Sequence, residues 1–134
     1  GRSGIAGVGG ARAARDAGND MKRVMVSAFD RPFLRYGLRL YRSFARFNPT
    51  VPMFYAHFKR GGVPALKPWQ FDRLTALGVT VMESPDAWPR VCPRFWDMAL
   101  WPMVDRLDWD ALMWIDADTL VLRKVDPAWR FDVT

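Results

Sequence analysis

The amino-acid sequence predicts an α/β fold, a Rossmann-like parallel sheet with flanking helices, on three observations. Strand-like apolar runs alternate along the chain with segments whose apolar residues recur at helical spacing. The runs are apolar at nearly every position, the pattern of strands covered on both faces. The connections are short and carry Asp-x-Pro, Asn-Pro or Gly punctuation, so strand, helix, strand, helix, strand follow in order, which implies a parallel sheet built by crossovers.

Residues 1–20 (GRSGIAGVGGARAARDAGND) hold only Ile5 and Val8 as sizeable apolar side chains and read as a flexible leader. Their glycines do not make a dinucleotide loop, because no strand precedes Gly7 and Arg12 stands where GxGxxG needs its third glycine. The first strand is expected over 23–29 (RVMVSAF), with Asp30 and Pro32 as cap and first turn of a helix. That helix should bury Phe33, Leu34, Leu38, Tyr41, Phe44 and Ala45, and place Arg35, Arg39, Arg42 and Arg46 on the opposite face. Asn48, Pro49 and Thr50 end it. A second strand is expected over 51–57 (VPMFYAH). Pro68 then opens a helix with Trp69, Phe71, Leu74 and Leu77 inside, and Gly78 closes it in the left-handed position. Residues 79–82 (VTVM) form a short third strand, and 84–93, punctuated by three prolines, read as irregular. A helix is expected over 94–107, kinked or restarted at Pro102, before a central strand over 111–115. Thr119 to Leu122 can form a further short strand, and Asp126 with Pro127 repeats the cap pattern.

Composition narrows the chemistry. The 134 residues suffice for one small domain or part of a larger one, and both ends read as cut. Cys92 is the only cysteine, which excludes an internal disulfide and a cysteine metal cluster. His57 is the only histidine, and nothing in YAHFK offers it a nucleophile, so it reads as a strand-end residue. At helical and strand spacings most of the seven tryptophans read as core. No apolar run nears the ~18 residues of a bilayer span and no secretory leader opens the chain, so a cytoplasmic location is expected. Residues 1–60 carry twelve Lys or Arg against three acids, and residues 61–134 eight against eleven. The basic half could steer anions. The arginine stripe itself reads as a solvated face, with a peripheral membrane contact or an acidic partner as the sharper alternative.

The most informative stretch is 112–122, LMWIDADTLVL, in which two carboxylates sit between apolar runs. Leu112, Met113, Trp114 and Ile115 read as a strand buried on both faces, and Asp116 falls where it emerges, at the carboxyl end where open α/β sheets place ligands. On extended backbone Asp116 and Asp118 would share one side with Cα atoms about 6.6 Å apart. Two carboxylates so placed can share a divalent cation, directly or through water.

Read together, RVMVSAFD, the Pro-started helix ending in FNP, TALGVTVM and WIDADTLVLRKVDP resemble the amino-terminal half of a GT-A fold nucleotide-sugar glycosyltransferase, most similar to family 8, the glycogenin-like and lipopolysaccharide-galactosyltransferase-like enzymes. The likeness covers residues 22–130 and makes 21–134 the nucleotide-sugar-binding half of a GT-A domain, truncated at its carboxyl end. It implies transfer of a sugar from a nucleoside diphosphate sugar, a UDP-sugar, to an unidentified acceptor. It also implies that Ser27, Ala28, Phe29 and Asp30 contact base and ribose, that Asp116 and Asp118 bind manganese or magnesium bridging the phosphates, and that Ala117 lies near the ribose. The family often has a lysine in a TKLxxW pattern that reaches donor phosphate or sugar; here WDMALW puts Asp97 in that donor-binding place. The third metal ligand, commonly a histidine, and the acceptor site would lie further along.

Other classes compete. Haloacid-dehalogenase-like phosphatases also use DxD after a buried strand, but want Thr or Val four residues after the first Asp, where this chain has Leu120. A basic, non-enzymatic module docking its arginine helix on nucleic acid or membrane is a second alternative. The arginines lack interleaved aromatics and the second half is acidic, so nucleic acid is not an expected partner. A folded but inactive truncated domain is a third.

Overall fold

A computed structural model of the chain describes residues 22–62, 64–88 and 101–125. The expected leader, Asp97, the first half of the helix expected over 94–107 and the Asp126–Pro127 cap lie outside the described residues.

The fold class is as expected. Four strands, β1 (Arg23–Ser27), β2 (Met53–Arg60), β3 (Val79–Trp88) and β4 (Ala111–Trp114), form one sheet in the order β3-β2-β1-β4. All pairings are parallel: Met25 lies opposite Met53, Val24 opposite Leu112, and Met53 opposite Val79. Helices α1 (Leu34–Phe47), α2 (Pro68–Thr75) and α3 (Trp101–Val104) connect them, with a 3-10 turn at Arg31–Phe33.

Alternation along β1 assigns the two faces of the sheet. Met25 packs with Leu38, Leu40, Tyr41 and Phe44 of α1, Leu74 of α2, and Tyr55, whereas Val26 packs with Ala56, Phe58, and Met103 and Val104 of α3. Helices therefore cover both faces, which is why β1 is apolar throughout. The start of β4 is tied to the start of β1 by paired hydrogen bonds: the Lys22 N–H donates to buried Asp110 Oδ2 at 3.0 Å, and the Asp110 N–H donates to the Lys22 carbonyl at 2.7 Å.

Several expectations need correction. β3 runs on through 83–88, where the prolines suggested irregular chain, and pairs with a β2 that itself reaches Arg60, across a register shift between His57 and Lys59. β4 is an edge strand of the described sheet rather than a central one, so Leu112, Met113 and Trp114 are only half-buried. No strand forms at 119–122. Instead this segment is strapped along α1, with the Val121 N–H donating to Ser43 Oγ at 3.0 Å and the Val125 N–H to Asn48 Oδ1 at 3.2 Å. Trp69 faces outward, 55 % exposed. Phe33 belongs to the 3-10 turn and is 49 % exposed, outside the core face of α1.

The punctuation behaves as expected. Pro68 starts α2, whose first turn closes through the Gln70 side chain accepting the Lys67 N–H at 2.8 Å, and Gly78 takes φ +86° after its end. Among the described residues no helix is long and apolar enough to cross a membrane.

Candidate functional site

The strand order creates the site. From β1 the chain steps outward to β2 and β3, then returns to the opposite side of β1 for β4, so its direction reverses between β1 and β4. At such a reversal the loops leaving the two neighbouring strands diverge and open a crevice at their carboxyl ends. A cleft of about 380 Å³ occupies that position. Ala28, Phe29 and Asp30 line it from the loop after β1, Ala56 and Phe58 from β2, and Trp114, Ala117 and Asp118 from β4 and the turn beyond, with Phe33 at its rim.

The loop after β1 is fixed by packing. The Phe29 ring lies 4.6 Å from the ring of Tyr55, centroid to centroid, and directly against the backbone of Gly37. The Tyr55 hydroxyl donates to the Phe29 carbonyl. Arg31 fastens the next turn, its N–H donating to the Pro64 carbonyl at 3.2 Å and its Nε–H to the Ala65 carbonyl at 2.8 Å. Asp30 sits at the cap position, yet its carboxylate makes no cap hydrogen bond; the turn closes through its carbonyl, which accepts the Phe33 N–H at 2.9 Å. Pro32 in the first turn brings Phe33 over the cleft.

At the end of β4 the backbone does not continue extended. The Asp116 carbonyl accepts the Thr119 N–H at 3.0 Å, which closes a turn through Ala117 and Asp118. The spacing expected for an extended Asp116–Asp118 pair therefore does not apply. Both carboxylates are exposed. Asp118 lines the cleft, while Asp116 Oδ1 accepts a hydrogen bond from the Trp114 indole at 3.0 Å and leaves its second oxygen to other partners.

Of the residues expected at a donor site, Ala28, Phe29, Asp30, Ala117 and Asp118 converge on this one cleft. Ser27 is fully buried and Asp116 exposed, and neither lines the cleft. Sequence reasoning missed Phe33, Trp114, Ala56 and Phe58 as cleft residues. Trp114 had a signal: two residues before Asp116 on a strand, it shares that residue's side. Phe33 had a contrary one, since helical periodicity set it on the core face and only the 3-10 turn at Arg31–Phe33 moves it to the cleft. Ala56 and Phe58 had none, because the pairing of β2 with β1 alone brings them there.

His57 is not part of the cleft. It lies inside β2, buried, with Nδ1 3.5 Å from Glu83 Oε1 and its ring 4.9 Å from that of Phe71, edge to face. Burial pushes its pKa below the usual value, and the Glu83 carboxylate partly restores it.

The site is thus the crevice of an open parallel α/β sheet, lined by two carboxylates and otherwise by apolar and aromatic side chains. Compared with known proteins, the chain matches no family model, no curated protein and no solved structure.

Proposed function

We propose that this cleft binds a nucleoside diphosphate sugar, a UDP-sugar on the resemblance drawn above, and that the chain is the donor-binding half of a metal-dependent glycosyltransferase of GT-A type, similar to family 8. The observation that carries the reading is the convergence of Asp30, Ala117 and Asp118 on one crevice at the reversal point of the sheet.

The lining suits the parts of such a ligand. Phe33 and Trp114 offer aromatic surface for a planar base, and Ala28, Ala56 and Ala117 leave room for close approach. No Lys or Arg lines the cleft among the described residues, so the diphosphate would meet carboxylates alone. Two unit charges 4 Å apart interact by roughly 1 kcal/mol in water and about 4 kcal/mol near a protein surface, so an uncompensated diphosphate would be rejected. A divalent cation reverses that sign.

The donor set fits one. Among the described residues no group of three ligating side chains exists, which argues against an all-protein cage. Magnesium-type sites instead use one or two carboxylates and complete themselves with water and substrate phosphate, which the exposed Asp116 and Asp118 can supply. In this role the indole of Trp114 orients Asp116, leaving one oxygen for the ion. Asp118, which lines the cleft, would supply the second carboxylate. Bound there, manganese or magnesium would act as a Lewis acid on the diphosphate leaving group. The phosphatase alternative wants Thr or Val four residues after its first Asp, where this chain has Leu120.

Calorimetric titration with UDP tests the proposal. Binding should require manganese. Removing even an outer-shell partner of a metal ligand lowers metal affinity about 10–100-fold, so loss of a direct ligand in Asp118→Asn should weaken metal-dependent UDP binding at least as much. UDP binding that is equal with and without manganese, or that survives unchanged in Asp118→Asn, would refute it.

A further inference from the structure

From Arg31 to Phe71 the chain contains no Asp or Glu but eight Lys or Arg. Within that window the exposed residues of α1 are Arg35, Arg39, Arg42 and Arg46, and no others. Their spacing sets them in one stripe along the helix, about 16 Å long at 1.5 Å per residue. The strap formed by 120–122 runs beside it. Arg39, Arg42, Ser43, Arg46, Phe47, Leu120, Val121 and Leu122 bound a shallow groove of about 390 Å³. Val121 is buried and anchored to Ser43, whereas Leu120 and Leu122 on either side of it are 46 % and 74 % exposed.

We propose that this surface docks on an anionic lipid bilayer, the arginines engaging lipid phosphates and Leu120 and Leu122 entering the headgroup–acyl boundary. Charge complementarity selects the partner, because a stripe of four cations with no acid in its own segment is attracted to a surface of like-spaced anions. The exposed leucines separate a bilayer from other polyanions. An interfacial surface combines basic groups with aliphatic side chains that gain by leaving water, whereas a nucleic-acid backbone offers leucine nothing. The aromatic rings of the stripe are already taken: the Arg35 and Arg39 guanidinium groups lie 4.9 and 5.4 Å from the centre of the Tyr36 ring, and that of Arg46 lies 5.2 Å from the centre of the Phe47 ring. Those faces are not presented for bases to stack on. Docking would also fix the cleft relative to the bilayer, since Phe33 at its rim leads directly into α1. The inference is independent of what the cleft binds.

Co-sedimentation with phosphatidylcholine vesicles, with and without phosphatidylglycerol, tests it. The wild-type chain should pellet with the mixed vesicles only, and less so as salt rises. Each basic residue near an anionic surface is worth about fivefold in partitioning, so Arg39→Gln/Arg42→Gln/Arg46→Gln should lower it on the order of 100-fold. The corresponding Arg→Lys triple variant should retain it. Leu120→Ser/Leu122→Ser should weaken partitioning roughly tenfold with its salt dependence intact. These positions are exposed, and far-UV circular dichroism confirms that each variant is folded. Equal pelleting of the Gln and wild-type chains, no pelleting of the wild type, an unaffected leucine variant, or stronger capture by duplex DNA than by the mixed vesicles would each overturn the proposal.

Discussion

Gly37→Ala is the substitution whose sign local propensity and tertiary packing predict oppositely. In a helix interior alanine is better than glycine by about 1 kcal/mol, so an isolated α1 would be strengthened. In the folded chain an added Cβ would sit 2.2, 2.3 and 2.8 Å from three carbons of the Phe29 ring. Ordinary carbon contacts begin near ~3.5 Å, so the ring would have to retreat by roughly 1 Å or more. Retreat is hindered, because Tyr55 packs on the ring at 4.6 Å, Tyr41 lies at 6.4 Å, and the Tyr55 hydroxyl holds the Phe29 carbonyl. Overpacking of this kind costs about 1–3 kcal/mol, and a hemmed-in ring belongs in the upper part of that range. Offsetting the propensity gain leaves a net destabilisation of about 1–2 kcal/mol. Urea unfolding should show a lower midpoint with an unchanged slope. The pair Phe29→Ala/Gly37→Ala separates the causes: with the ring gone, Gly37→Ala should stabilise relative to Phe29→Ala alone. A single Gly37→Ala variant as stable as wild type would mean that Phe29 does not pack on α1, and the floor assigned to the cleft would go with it.

Two further outcomes follow from buried polar groups. Tyr41 is fully buried and its hydroxyl donates to the Phe54 carbonyl at 2.6 Å, so Tyr41→Phe, which keeps the ring and removes the donor, should lower stability by about 1–2 kcal/mol in the same unfolding assay. His57 has its pKa held below 6.5, chiefly by burial, so the unfolded chain binds its proton more readily; the stability associated with neutral His57 is complete above pH 6.5 and is lost as pH falls towards the folded-state value. Thermal melts across that range should therefore slope less in His57→Phe than in wild type, and identical slopes would count against a buried neutral imidazole.

How much of this was legible in the sequence depended on whether a feature is local. The apolar core of β1, the proline starts and the left-handed Gly78 are decided by a few adjacent residues, and they are where the sequence places them. The DxD segment was half legible. Its position after a strand is local, but the turn closed by Thr119 replaces the extended spacing once Val121 is drawn onto Ser43 of α1. Phe33 and Trp69 were assigned inward on helical periodicity; a 3-10 turn shifts the first, and the narrow face of a short α2 leaves the second in water. The length of β3 depends on its partner, because β2 continues to Arg60 and offers a ladder that the prolines alone do not forbid. The meeting of Asp30 with Asp118 was not legible in spacing or periodicity and was expected only from the resemblance to a family, since they are far apart in the chain and the return of β4 to the side of β1 makes them neighbours of one cleft.

The charge distribution then acquires a spatial meaning that net charge conceals. The arginines of the first half stand on the outer face of α1, while the cleft receives Asp30 and Asp118 with no cationic side chain among its described lining residues. Had the cleft evolved to take a bare phosphate, basic groups at the strand ends would be the direct solution, as in loops where lysine or backbone N–H groups cradle the anion. A carboxylate lining instead suits a ligand whose charge a metal ion neutralises, or a neutral polyol held by hydrogen bonds. The two differ in one measurable respect. A metal–diphosphate ligand should bind with an affinity that rises steeply with manganese concentration and vanishes on chelation, whereas a free sugar should bind independently of metal. Tight, chelator-insensitive binding of a monosaccharide would therefore displace the nucleotide reading while leaving the cleft and its topology intact.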